Sequence, residues 1–172
     1  MRVLIIGAGA SGMMAALTAV RAGYEVVLFE RQARVGRKLA ATGNGLCNIT
    51  NTAASAAHYH GEAPGFVAPA LEYMPVADTL ALFRGIGLLT REEYGGRVYP
   101  LSNSANSVTD TLRFALEAEG VRLVPGDRVR ALTRTQDGFA VLTESGAHVT
   151  GDAAIVACGG LAGEKLGGGK AC

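Results

Sequence analysis

RVLIIGAGASG, residues 2–12, runs on into MMAALTAVR, residues 13–21, and AGYEVVLFE, residues 22–30, and the rest of the chain is organised around this unit. Val3, Leu4, Ile5 and Ile6 predict a short strand. Glycines at 7, 9 and 12 then lead directly into an apolar run that predicts a helix over residues 13–21. Residues 25–29 predict a second strand, closed by Glu30. Strand, glycine turn, helix and strand with a terminal acid match the dinucleotide fingerprint. In that pattern Gly7 permits the sharp turn, Gly9 lets a pyrophosphate approach the backbone, and Gly12 lets helix and strand pack closely. Around Ala10 and Ser11 the helix start presents unpaired amides and the positive end of its dipole to phosphate. Glu30, 18 residues past Gly12, is placed to accept hydrogen bonds from ribose hydroxyls and to repel a 2′-phosphate. At this point NAD and FAD fit equally well. The charged start Met1-Arg2 before apolar residues imitates a secretory leader, but the glycine turn interrupts the run, so this segment is expected to be structural and retained.

Composition narrows the class. A chain of 172 residues suits one domain with at most a small subdomain. Lys plus Arg is 16 against 15 for Asp plus Glu, so no overall field favours nucleic acid or an anionic membrane. Basic residues do gather locally at Arg31, Arg34, Arg37 and Lys38. No apolar stretch reaches the roughly 18 residues of a spanning helix, so a soluble protein with neither a membrane nor a nucleic-acid partner is expected. Cys47, Cys158 and Cys172 are odd in number and lack C-x-x-C spacing, which fits a reducing cytoplasm and indicates neither a disulfide framework nor zinc. His58 and His60 do not share a helix face and have no third ligand nearby, so no metal site is expected. The 24 glycines concentrate in residues 7–12, 36–45 and 159–169, three expected ligand loops.

After a polar connection over residues 31–35, GRKLAATGNGLCNITN occupies residues 36–51. Its first six residues predict a short helix. The Gly, Asn and Thr run after it can offer backbone and side-chain amides to a polar ligand, with Arg31, Arg37 or Lys38 neutralising a phosphate. From composition alone a capped surface loop explains it equally well. The stretch closely resembles the G-R-K-x-x-x-(T/S)-G-(N/G)-G-R-C-N-x-T-N signature of the aminoacetone-oxidase-like, BaiN/RdsA-type FAD-dependent oxidoreductases. GRVYPLS, residues 96–102, with Ala105 and Val108, is similar to that family's second block, G-R-x-(F/Y)-P-x-S-x-x-A-x-x-V. The resemblance implies bound FAD, flavin-mediated hydride or electron transfer on a small organic substrate, and NAD(P)H as a candidate co-substrate. It implies that Thr42, Gly43, Asn44, Cys47 and Asn48 lie near the isoalloxazine and ribityl chain. It also implies that the backbone around Val129 meets adenine, and that Ala157-Cys158-Gly159 forms the tight A-T-G-G-like turn beside FAD. Leu46 stands where the family has a basic residue and Cys158 where it has Thr.

Further elements follow from periodicity. Phe66, Val67, Ala70, Leu71 and Met74 recur at helical spacing, and Pro75 can sit in the first turn of another helix carrying Val76, Leu80, Leu82, Phe83 and Ile86. All of these apolar positions are expected in the core. Strands are expected over residues 88–92, 97–99 and 121–124, and a helix over 107–119 with Asn106 or Ser107 as N-cap and Gly120 as its stop. Strands at residues 128–135, 139–144 and 147–150, joined at Asp137-Gly138 and Ser145-Gly146, predict an antiparallel meander in place of a crossover helix. Residues 153–157 predict a buried parallel strand.

The expected fold is α/β: a doubly wound, Rossmann-like parallel sheet with a three-stranded antiparallel meander at about 128–150 and a helical excursion at about 53–120. One FAD-binding domain is expected over residues 1–172. In residues 161–172, Glu164 and Lys170 fall where the family has Pro and Gly, and its inserted substrate domain and closing segment are expected to be absent. No residue qualifies as a general base or nucleophile. Two other classes stay open, a non-catalytic nucleotide-binding module and an NAD-dependent dehydrogenase.

Overall fold

The computed structural model describes residues 1–160. In chain order the elements are β1 (Arg2–Ile6), α1 (Ala10–Arg21), β2 (Glu25–Glu30), α2 (Arg37–Ala41), β3 (Thr50–Asn51), α3 (Ala68–Tyr73), α4 (Val76–Gly85), β4 (Thr90–Glu93), β5 (Arg97–Pro100), α5 (Ala105–Ala118), β6 (Arg122–Pro125), β7 (Val129–Thr135), β8 (Gly138–Thr143), β9 (His148–Gly151) and β10 (Ala153–Val156). They form two compact units: residues 1–39 with the chain from residue 112 onward, and residues 40–111.

The first unit is the expected doubly wound core. Its parallel sheet has the order β10-β1-β2-β6, so the chain leaves β1 for β2 on one side and returns through β10 on the other. Side chains alternate across a strand, and both faces of the sheet are used. Leu4, Ile6, Val27 and Phe29 share a buried cluster with Val141 of the meander, against which Val129, Leu132, Phe139 and Val149 also pack. Val3, Ile5, Val26 and Leu28, the alternate set, are equally buried, and α1 lies against β1 and β2 with Met13, Ala16 and Leu17 buried. Burying side chains of this size is worth about 1.5–3 kcal/mol each. The meander β7-β8-β9 is antiparallel, as expected, with a register shift between Val129 and Ala131.

One expectation fails here for a topological reason. The strand over residues 153–157 was expected to be buried, and β10 does pair in parallel with β1. Among the described residues, however, it is an edge strand, and Val156 is 56% exposed. An apolar run predicts a strand but not the number of its neighbours.

In the second unit β3, β5 and β4 make a three-stranded antiparallel sheet. The two-residue β3 escaped the sequence reading because so short a strand has no periodicity. The helices between β3 and β4 correct a second expectation. Of the apolar positions placed in the core over residues 66–86, only Phe83 is buried, and Phe66 is 89% exposed. Prolines at 64, 69 and 75 break the segment into a turn and two short helices, so no long apolar face forms. Pro75 precedes α4 rather than sitting in its first turn. Helix α5 starts at Ala105, two residues before the expected start, which removes Asn106 and Ser107 as caps; Gly120, at φ +80°, follows it as expected.

Candidate functional site

Because the four strands of the main sheet are parallel, their carboxyl ends lie together at one edge. Ligands of open α/β sheets bind there, at the point where the strand order reverses. β1 is the strand at that point, and the three glycines after it behave differently. Gly7, at φ +101°, makes the turn alone, and a Cβ on it would lie 2.6 Å from the Ala157 carbonyl oxygen. With the turn complete at Gly7, α1 begins at Ala10, three residues before the expected start, with Gly9 as its extended N-cap (φ −78°, ψ −173°). Gly12 is therefore a helical residue, and its Cβ would lie 1.8 Å from the Gly7 carbonyl oxygen. Among the described residues, no atom beyond Gly9 and its chain neighbours lies within 4 Å of the position a Gly9 Cβ would take. The protein thus needs glycine at 7 and 12 for its own packing, whereas at 9 it leaves space for something else.

Beside this turn the first three helical amides, those of Ala10, Ser11 and Gly12, precede the point where intrahelical bonds begin; Met13 N–H donates to Gly9 O at 2.9 Å. Ala10 and Ser11 are exposed. Such an end accepts an anion. Glu30 closes β2 at the same edge, and its oxygens accept the Ala8 N–H and the Gln32 N–H, each at 2.9 Å. Gly36 N–H donates to the Ala8 carbonyl at 2.8 Å, which ties the start of the basic segment to the turn. Lys38 Nζ donates to Gly160 O at 3.2 Å, and Arg37 donates to the Gln32 side chain at 3.2 Å. Arg31, next to Glu30, is half-buried. After β10, Ala157 N–H donates to Ile6 O at 2.8 Å, and the Cys158 thiol donates to the same carbonyl at 3.6 Å. The thiol therefore takes part in the turn that Gly159, at φ +75°, completes. Val129 starts β7 just beyond Gly126 and Asp127, whose amides donate to the carbonyls of Gln32 and Glu30.

The first unit thus brings together Gly7, Gly9, Ala10, Ser11, Gly12, Glu30, Arg31, Arg37, Lys38, Ala157, Cys158 and Gly159, with the strand of Val129 tied in beside Glu30. Reading the sequence missed Ala8 and Gln32, whose amides hold Glu30, because a backbone donor leaves no trace in residue type.

The second unit holds Thr42, Gly43, Asn44, Cys47 and Asn48. Gly43 and Asn44 both adopt left-handed φ/ψ, and Leu46 and Cys47 N–H donate back to the carbonyls of Gly43 and Thr42. Thr42, Gly43, Asn44 and Asn48 are exposed, which leaves this tight loop open to a ligand. Cys47 is the exception, 4% exposed with φ +58°. Burial pushes its thiol above the ordinary range, and a hydrogen bond with the Thr42 side chain offsets only part of that. A raised thiol is a poor nucleophile. Peptide mass spectrometry after brief alkylation near neutral pH is expected to find Cys47 unlabelled in the folded protein and fully labelled after denaturation. Rapid labelling of the native protein at that pH would contradict this environment; raising the pH past the ordinary thiol range should increase it.

The two sequence blocks meet within this unit. Thr50 pairs with Val98 and Asn51 with Arg97, and the Asn51 side chain donates to Gly95 O at 2.8 Å. A Cβ on Gly96, at φ +75°, would lie 2.6 Å from the Asn51 and Thr52 side-chain oxygens. The last residues of the first block therefore build the sheet, while its middle forms the open loop.

Among the described residues no group of His, Cys, Asp or Glu is arranged to hold a metal, and no single helix is long and apolar enough to cross a membrane. Residues 161–172, with Glu164 and Lys170, lie outside the described residues. The space at Gly9, the first-turn amides of α1 and the acid at the end of β2 fit an adenine dinucleotide.

Comparison with known proteins agrees. The family model of the HI0933-like protein Rossmann domain matches residues 1–172. A 3-dehydro-bile acid delta(4,6)-reductase of Clostridium scindens is 41% identical over 168 residues, covering 96% of this chain and 41% of the relative. A ribosomal RNA dihydrouridine synthase of Escherichia coli is 30% identical over 164 residues, covering 95% of this chain and 40% of the relative. The chain thus spans about two fifths of the length of these curated relatives. Among solved structures, THI4 of Thermovibrio ammonificans superposes with a TM-score of 0.59 at 17% identity, covering 94% of this chain and 58% of that one, which shows the shared fold.

Proposed function

The chain belongs to the family of HI0933-like Rossmann-domain proteins, and from that premise we propose that it carries the dinucleotide-binding part of an FAD-dependent oxidoreductase. The observation that carries this reading is the open space at Gly9 between two glycines closed by backbone. In this reading the amides of Ala10, Ser11 and Gly12 bind the diphosphate, and the positive end of α1 favours its charge. Glu30 receives the ribose hydroxyls and repels a 2′-phosphate. The loop of Thr42, Gly43, Asn44 and Asn48 meets the flavin end through its exposed amides, and Cys47 serves by packing and backbone rather than by thiol chemistry. The Ala157-Cys158-Gly159 turn and the backbone at Val129 complete the contacts, with Lys38 holding the turn and Arg31 and Arg37 adding positive charge. Bound FAD supplies a ring that takes up and passes on hydride or electrons, while the protein orients it.

The names of both relatives describe hydrogen added across a carbon–carbon double bond. We extend that reaction class to this family member: hydride to one carbon and a proton to the other, with NAD(P)H as the reductant that is oxidised. The second name concerns RNA. With 16 basic against 15 acidic residues this chain has no overall excess of positive charge to favour a nucleic acid, which supports a small organic substrate.

The visible spectrum of the purified protein tests the cofactor. A yellow protein with flavin bands is expected; a colourless protein that also fails to take up added FAD would overturn the reading, and uptake of NADH in preference to FAD would assign an NAD-dependent dehydrogenase instead. Asn44 allows a finer test. It sits at φ 54°, where alanine costs about 1 kcal/mol, so Asn44→Ala would mix strain with lost contact. Asn44→Gly relieves the strain and is expected to weaken flavin retention roughly tenfold through the lost side-chain hydrogen bond. Wild-type retention by Asn44→Gly, read from absorbance after gel filtration, would remove Asn44 from the flavin site.

A further inference from the structure

Both oxygens of Glu30 are already engaged by backbone amides in the free protein. Oε2 accepts from Ala8, inside the glycine turn, and Oε1 from Gln32, just past β2. Ala8 is fully buried, and its two backbone groups point to different parts of the chain, the N–H to Glu30 and the carbonyl to Gly36. On the other side, the carbonyls of Glu30 and Gln32 accept the amides of Asp127 and Gly126. One carboxylate thus lies where the diphosphate turn, the exit of β2 and the approach to the meander join.

A ribose acceptor alone has no need of this arrangement, because an acid at the end of β2 facing solvent would reach the hydroxyls. The amide of Ala8 needs it: water does not reach this buried N–H, and losing its acceptor would leave it unsatisfied. An ionised acceptor makes the bond about twice as strong as a neutral one. A carboxylate offers about four lone-pair sites, so two amides leave about two for ribose hydroxyls.

We propose that Glu30 is a positioning residue for the diphosphate turn as well as a ribose acceptor, so that one carboxylate sets the shape of one subsite while binding in the other. The half of this inference that concerns ligand rests on the dinucleotide reading above; the half that concerns Ala8 does not.

Two measurements on the wild type and on Glu30→Gln separate the roles. Glutamine keeps one acceptor oxygen and replaces the other with an N–H₂ group, so the Ala8 amide faces either a donor or a neutral oxygen, which makes the bond about half as strong. Amide hydrogen exchange in the free proteins is expected to show Ala8 protected in the wild type and exchanging roughly tenfold faster or more in Glu30→Gln. Titration with ADP and with 2′,3′-dideoxy-ADP, which lacks both hydroxyls, is expected to show Glu30→Gln weaker than wild type for both, by roughly tenfold for the dideoxy compound. Should Glu30→Gln bind dideoxy-ADP as tightly as wild type and lose affinity only for ADP, Glu30 would be a ribose acceptor alone and the proposal overturned. Unchanged exchange at Ala8 would overturn it as well. Wild type that binds neither nucleotide, with Ala8 protection still dependent on Glu30, would sink the dinucleotide reading and the ligand half of the proposal while upholding the tie to Ala8. If Glu30→Gln does not fold, Glu30→Asp, which keeps the charge but withdraws it by one methylene, carries the same two measurements.

Discussion

Gly9→Val is expected to leave the protein folded and unable to hold an adenine dinucleotide. The backbone at this position is extended (φ −78°, ψ −173°), a conformation open to any residue, and among the described residues no atom beyond the chain neighbours lies within 4 Å of the new Cβ. The fold therefore loses only a good helix cap, worth about 1 kcal/mol, and the circular dichroism spectrum should match wild type. The ligand meets a different situation. Valine would project its two methyl groups into the space from which a diphosphate reaches the amides of Ala10, Ser11 and Gly12, and losing that approach should weaken binding by roughly 100-fold or more. Flavin absorbance after gel filtration and titration of the free protein with FAD both read this out. Binding at wild-type affinity would show that the diphosphate does not sit against this turn.

Gly12→Ala is expected to do the reverse, striking the fold first and binding only as a consequence. The added Cβ would lie 1.8 Å from the Gly7 carbonyl oxygen, 3.0 Å from its carbon and 3.3 Å from the Ala157 Cβ. Two of these are backbone atoms, and Gly7 is itself held, its N–H donating to Phe29 O at 2.8 Å. The start of α1 must move away from β1 and β10, loosening the packing of Met13, Ala16 and Leu17. Overpacking without a flexible neighbour to yield costs about 3 kcal/mol or more, a large part of the roughly 5–15 kcal/mol by which domains are stable. The midpoint of urea denaturation should fall accordingly, and a midpoint equal to wild type would contradict the close approach of α1 to Gly7. A single methyl at position 12 is thus expected to destabilise more than two methyls and their Cβ at position 9.

The contrast between these glycines shows what residue order does and does not disclose. Gly7, Gly9 and Gly12 are identical in composition, and the fingerprint assigned a role to each, correctly for the turn at 7 and the packing at 12. That α1 begins at Ala10, inside the motif, was not legible, because a turn completed by one residue at positive φ gives no spacing cue of its own. The meander was legible from Asp137-Gly138, Ser145-Gly146 and the alternation of its strands. The core over residues 66–86 was misjudged, since helical spacing identifies an apolar stripe whether or not a partner layer covers it, and Phe66 has none among the described residues. For the same reason the apolar run of β10 reads as an interior strand although, among the described residues, it lies at the sheet edge. Residue type alone does not tell whether Cys47 acts through its thiol or by packing; its burial and raised thiol favour packing.

By itself the sequence determined the β1-α1-β2 unit, the parallel sheet, the meander and the family, because these rest on local periodicity, on glycines at fixed offsets and on two blocks of specific residues. Only the tertiary structure decided that Gly9 faces open space while Gly12 faces a carbonyl, that β3 and β5 join the two blocks, and that the carboxylate of Glu30 is shared between Ala8 and Gln32. Each of these depends on atoms brought together from distant parts of the chain, and most of those atoms belong to the backbone, which is the same in every residue.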